Sequence, residues 1–146
     1  MGYISVLLVD DEVSFIETLA KRLTNRGFTV ATAFSGQEAL KTLEGMGPSR
    51  VDVVLLDVKM PGMDGLETLA AVKGRFPTIE VIMLTGHATV EAAIEGMKRG
   101  AFDFMMKPAD IELVVGKIEE ACRQKRQHEV KILEAQAHMI FLRRGD

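Results

Sequence analysis

Five polar residues stand where short apolar runs end: Asp10 and Asp11 after ISVLLV, Asp57 after VDVVLL, Thr85 after VIML and Lys107 after FDFMM. Their types define a chemistry if the chain brings them together. Carboxylates such as Asp10, Asp11 and Asp57 repel one another at a few ångströms unless a cation sits among them. Hard oxygen ligands of this kind suit Mg2+ or Mn2+. A carboxylate that attacks phosphorus becomes an acyl phosphate. With Asp57 as that acceptor, the metal ion, the Lys107 ammonium and the Thr85 hydroxyl would neutralise or hydrogen-bond the phosphoryl oxygens. The constellation is that of a phosphorylation switch.

What must position these residues is a parallel sheet. The runs are short and rich in Val, Ile, Leu, Met and Phe, as strands buried on both faces are. In such a sheet the carboxyl ends of all strands lie along one edge, so residues spread over about a hundred positions converge there. The pattern predicts strands near 4–9, 28–33, 51–56, 79–84 and 101–106, alternating with helices near 12–26, 35–46, 64–75, 87–99 and 109–122. Right-handed crossovers then give an α/β doubly wound, flavodoxin-like sheet of order 2-1-3-4-5, with Asp57 at the end of the central strand. Apolar stripes at helical spacing mark the core faces: Ile16, Leu19 and Leu23 on the first helix, Leu66, Leu69 and Val72 on the third, Val90, Ile94 and Met97 on the fourth. Gly27 reads as a helix stop and 45–49 as a loop, and Asp64 could cap the third helix. Cys122, the only cysteine, continues the stripe Ile111, Val114, Ile118 and reads as a packing residue. The histidines His87, His128 and His138 show no ligand spacing, which argues against a zinc site.

The segments V-D-D-E at 9–12, L-L-D-V-K-M-P-G-M-D-G at 55–65, L-T-G-H at 84–87 and G-A-F-D-F-M-M-K-P at 100–108 occur in an order and spacing that resemble the receiver domain of bacterial two-component response regulators. The resemblance covers roughly residues 4–122 and implies a CheY-like fold. It makes Asp57 the phosphoacceptor, Asp11 a direct metal ligand, Asp10 a ligand acting mainly through a metal-bound water, and the Lys59 backbone carbonyl a further ligand. Lys107 would pair with the phosphoryl group, and its bond to Pro108 is expected to be cis. Thr85 and Phe104 match the family's switch pair, the hydroxyl moving toward the phosphoryl group while the ring turns inward. Lys59 and His87 correspond to positions flanking the path of the water that hydrolyses the acyl phosphate, and their bulk suggests slow self-dephosphorylation; the alternative is that both point outward into solvent. The segment T-G-H-A-T-V-E-A-A-I-E-G-M-K-R-G-A-F-D-F resembles in particular the receivers of sigma-54-dependent transcriptional activators. The implied role is a signalling receiver, not an enzyme on other substrates. Such a receiver would take a phosphoryl group from a histidine kinase or phosphotransfer protein with Mg2+ and switch the face formed by the fourth helix, fifth strand and fifth helix.

Rival readings fit less well. A flavin or other phospho-ligand site on the same fold needs donors and small residues in the first loop, whereas this loop offers Asp10, Asp11 and Glu12. An aspartate-based phosphatase expects D-x-D-x-T, but Asp11 is followed by Glu12, Val13 and Ser14. An unphosphorylated protein-binding module stays open. Taken singly, Asp11 reads as a helix cap, Lys107 as a solvated charge and Thr85 as a strand-end hydroxyl; their joint spacing decides.

Composition agrees. A chain of 146 residues with 47% hydrophobic and 27% charged content is ordinary for one globular domain. It has no signal peptide and no apolar run long enough to span a membrane, so a cytoplasmic location is expected. Residues 1–122 carry 12 Lys and Arg against 18 Asp and Glu, a balance of −6, while 123–146 carry 6 against 3, a balance of +3. That shift, with RQKRQHE at 123–129 interrupting the apolar stripe, divides a receiver domain (1–122) from a C-terminal helical extension or linker (123–146). Val130, Leu133, Ala137 and Ile140 recur at 3-4-3 spacing, an amphipathic helix too short for an isolated coiled coil. It could dock on its own domain, extend a homodimer through the fourth-helix to fifth-helix face, or begin a linker. The acidic balance and the absence of a Walker motif argue against direct nucleic-acid binding by this chain.

Overall fold

The computed structural model describes residues 3–86 and 89–144. Strands β1 (Ser5–Val9), β2 (Thr29–Ala33), β3 (Val53–Leu56), β4 (Glu80–Thr85) and β5 (Asp103–Met106) form one parallel sheet of order β2-β1-β3-β4-β5. Helices α1 (Val13–Asn25), α2 (Gly36–Met46), α3 (Gly65–Arg75), α4 (Val90–Lys98) and α5 (Ile111–Arg144) alternate with the strands. The expected flavodoxin-like topology is the observed one.

Alternation along each strand divides the core in two. On one face Leu7 and Val9 of β1, Val54 and Leu56 of β3, and Val81 and Met83 of β4 meet α2 and α3. On the other, Val6, Leu8, Val53, Leu55, Ile82 and Leu84 meet α1 and α5. The central strands β3 and β4 are buried throughout, while the edge strands β2 and β5 are only partly covered. Fully burying a side chain such as Leu7 or Ile82 contributes roughly 2 kcal/mol.

Local signals set the helix ends. Ser35 accepts from the Glu38 N–H at 3.1 Å while the Glu38 carboxylate reaches back to the Phe34 N–H, also at 3.1 Å. Asp64 caps α3 by accepting from the Glu67 N–H at 2.9 Å, as expected, and Thr89 caps α4 through the Ala92 N–H at 3.0 Å. Gly27 follows α1 with φ of +89°, a left-handed conformation that favours glycine. Cys122 is buried in the α1–α5 core, where burial pushes its thiol pKa up.

Two expectations need correction. The stripe Val90, Ile94 and Met97 of α4 is not core: these residues are 72%, 52% and 49% exposed. The helix packs instead through small residues. A Cβ on Gly96 would lie 3.8 Å from side-chain carbons of Leu66, Met83 and Phe104, and Ala92 joins the same cluster. The small face approaches closely, so the bulkier face turns to solvent. The fifth helix, expected to end near 122, runs unbroken to Arg144. Within the polar run Lys125 is almost wholly buried, its Nζ 2.9 Å from Glu129 Oε2 and 3.5 Å from Asp52 Oδ1. Gln124 donates to Glu80 and Arg126 approaches Asp52 at 3.8 Å, so one helical turn is tied to the amino ends of β3 and β4. Beyond it, residues 130–143 are exposed. Among the described residues no helix is long and apolar enough to cross a membrane.

Candidate functional site

The carboxyl ends of β1, β3, β4 and β5 bring the expected residues to one edge. The backbone sets their height: the Asp57 N–H donates to the Val9 carbonyl at 3.0 Å, and the Lys107 N–H to the Thr85 carbonyl at 2.9 Å. One carboxylate oxygen from each of Asp10, Asp11 and Asp57 lies within 4.8 Å of the others. Asp10 and Asp57 are buried, Asp11 exposed. The first-loop acids are not spent on capping, since the N-cap position of α1 is Glu12 and its side chain makes no capping bond. Asp10 Oδ1 instead accepts from the Glu12 N–H at 3.0 Å and closes the turn.

Lys107 Nζ lies 2.6 Å from Asp10 Oδ2 and 3.6 Å from Glu12 Oε1. Burial works against its charge, but the hydrogen bond and charge of Asp10, aided by Asp57 and Glu12, hold its pKa above the ordinary lysine value. Burial pushes the Asp57 carboxyl above the usual carboxylate range; the Thr85 side chain and Lys107 favour its charged form, and the Asp10 charge opposes it. Asp57 Oδ1 is buried without a hydrogen-bond partner. An unsatisfied carboxylate oxygen is costly, and this one belongs to a carboxylate clustered with two others. An all-oxygen donor set with an orphaned buried atom fits a hard divalent cation such as Mg2+ or Mn2+. The cluster could hold one.

Asp11, Glu12, Asp57, Lys59, Gly86 and Lys107 line an open cleft of about 400 Å3. Lys59 therefore stands at its edge, exposed; His87 lies outside the described residues. Thr85 is fully buried at the end of β4, and Phe104 on β5 is half-buried against α4. The Lys107-Pro108 peptide is cis, as expected.

Two neighbours escaped the sequence reading. A Cβ at Gly65 would meet the Asp57 carbonyl oxygen at 2.0 Å, and the Gly65 N–H donates to the Val58 carbonyl at 2.7 Å. The start of α3 is thus pressed against the backbone that carries the candidate acceptor, and only glycine fits. The run M-D-G-L reads as a turn entering a helix, which explains the cap but not the close approach. The second is Phe15, whose ring centroid lies 4.0 Å from Lys107 Nζ. No spacing rule pairs residues so far apart in the chain.

Comparison with known proteins gives the family. The family model described as the response regulator receiver domain matches residues 6–119. The transcriptional regulatory protein ZraR of Salmonella typhimurium is 36% identical over 136 residues, covering 93% of this chain and 30% of ZraR. The DNA-binding transcriptional regulator NtrC of Escherichia coli is 40% identical over 116 residues, covering 80% of this chain and 24% of NtrC. The chain spans less than a third of the length of these curated relatives. Among solved structures, a response regulator receiver domain protein from Clostridium thermocellum is 33% identical with a TM-score of 0.80, covering 85% of this chain and 98% of that one. With its strand order, its acidic cleft and this match over most of its length, the chain belongs to the response regulator receiver domain family of two-component signalling.

Proposed function

We propose that Asp57 accepts a phosphoryl group from a phosphohistidine of a histidine kinase or phosphotransfer protein. The observation that carries this reading is the buried, unpartnered Oδ1 of Asp57, a residue clustered with Asp10 and Asp11 and sharing a cleft with Lys107. In the transfer an Asp57 carboxylate oxygen forms the new O–P bond, the P–N bond of the donor breaks, and its electron pair stays on the imidazole nitrogen. Asp10, Asp11, Asp57 and the Lys59 carbonyl would hold Mg2+, which when bound supplies positive charge to the transferred oxygens. Lys107 leaves Asp10 to meet one phosphoryl oxygen, and the Thr85 hydroxyl meets another. The chain acts on no substrate but its own aspartate. Lys59 at the edge of the cleft, with His87, hinders the hydrolytic water, so the aspartyl phosphate is long-lived.

Movement of Thr85 toward the phosphoryl group leaves space that Phe104 enters, shifting a two-state equilibrium of the face formed by α4, β5 and α5. The exposed Val90, Ile94, Met97 and Met106 on that face support a protein partner, and a second copy is the partner favoured. Likeness to ZraR and NtrC supports a cytoplasmic role in transcriptional control, in which the acidic receiver does not itself touch nucleic acid. Incubation with phosphoramidate or acetyl phosphate followed by intact-mass spectrometry tests the reading. A gain of roughly 80 Da that needs both Mg2+ and Asp57, and is absent in Asp57→Asn, is the expected result. A gain that survives Asp57→Asn places the acceptor elsewhere.

A further inference from the structure

Lys107 has a neighbour that charge does not explain. Among the described residues its ammonium meets Asp10 Oδ2 at 2.6 Å, Glu12 Oε1 at 3.6 Å and the Phe15 ring, its centroid at 4.0 Å. They are not equivalent. Glu12 is 62% exposed and well screened by water. Asp10 belongs to the cluster that fits a divalent cation, so its carboxylate cannot serve Lys107 and a metal ion unchanged. The Phe15 ring has no such conflict, because an aromatic face attracts an ammonium yet offers a hard divalent cation no oxygen ligand. The ring also has apolar neighbours. Phe15 packs against the α1–α5 core and lines the groove between those helices with Leu19, Ala109 and Val114.

We propose that Phe15 is a positioning residue for phosphoryl acceptance: its ring face keeps the Lys107 ammonium beside Asp57 in the metal-loaded receiver, where it meets the incoming phosphoryl oxygen. The inference rests on the reading of Asp57 as phosphoacceptor. Phe15 touches no reacting atom and acts only through Lys107.

The test is the rate of phosphorylation of the full chain by phosphoramidate with Mg2+, followed by intact mass, in the native protein and in Phe15→Leu, Phe15→Met and Phe15→Tyr. Loss of the ring slows the reaction roughly two- to tenfold, the range expected for a partly desolvated cation–π contact, and Phe15→Tyr restores it. A packing defect would not distinguish Tyr from Met in this way. In a Lys107→Met background the Phe15→Leu change costs nothing further, because the contact it removes is already gone. If Phe15→Leu unfolds, Phe15→Met carries the comparison with nearly conserved volume. Equal rates in native and ring-less proteins, or a loss that adds to that of Lys107→Met, overturn the inference and leave the phosphoacceptor reading standing. No phosphoryl gain in the native protein removes both.

Discussion

Asp57 is held in a setting that disfavours its own charge. Burial and the Asp10 carboxylate raise its pKa, against the pull of Thr85 and Lys107. The sign of the consequence is fixed: the folded state binds more protons than the unfolded one between the ordinary value of 3.8 and the raised one, so stability falls as pH climbs through that interval. Asp57→Asn removes the cost. In EDTA at neutral pH its melting temperature should exceed that of the native protein, in a domain of a size where roughly 1 kcal/mol moves the midpoint by about 3 °C. The difference should narrow as pH is lowered toward 4, and Mg2+ should stabilise only the native protein, as scanning calorimetry with and without metal would register. Gly65 makes a different demand on the same residue. With the Asp57 carbonyl only 2.0 Å from where a Cβ would stand, Gly65→Ala must push α3 away from β3. It should cost at least about 2 kcal/mol in urea unfolding and slow phosphorylation as well. The charged residues could be read in the sequence because each ends an apolar run. Gly65 and Phe15 could not, since close approach and a ring over an ammonium depend on tertiary distances that no periodicity encodes.

Elements were readable where the period of apolar residues settles burial, and misread where it does not. The central strands are covered on both faces and α1 on one, and there pattern and structure agree. In α4 two faces compete, Ala92 and Gly96 against Val90, Ile94 and Met97. Hydrophobicity alone favours the larger residues, but the space beside β4 and Phe104 admits only the smaller. The run 123–129 does not end the fifth helix, as its charge led one to expect. Its charge suggests a boundary, yet the Lys125 stem is buried and its ammonium is paired, so the run fastens α5 to the sheet. Lys125→Met keeps the stem and deletes the charge. Asp52 then retains the Ser5 N–H at 2.9 Å and Arg126 at 3.8 Å, so the loss should be about 2 kcal/mol, below the usual cost of breaking a buried pair. Hydrogen exchange should localise it: amides from about 122 onward lose protection while those of β3 keep theirs. Uniform loss across the sheet would mean that the tie stabilises the whole domain, not the helix.

For the whole molecule, the question is what two exposed apolar surfaces do when neither suffices alone. The extension carries Val130, Leu133 and Ile140 on a helix that stands free of the domain. A stripe of that length is too short to hold two chains together by itself. The α4–β5 face carries Val90, Ile94, Met97 and Met106, and in the proposed mechanism phosphorylation alters its shape. Because α5 is one helix from Ile111 to Arg144, the two surfaces belong to one body, and a partner that reaches both would be held by both. Linked weak contacts of this kind combine far above either alone. A phosphorylated chain should therefore self-associate more tightly than the unmodified one, and sedimentation velocity over a concentration series should show it. Ile94→Glu should abolish the phosphorylation-dependent gain while leaving any weak basal association. Leu133→Glu should weaken association in both states, since the stripe is exposed without any switch. A chain that stays monomeric at every concentration, modified or not, would assign both surfaces to a different protein.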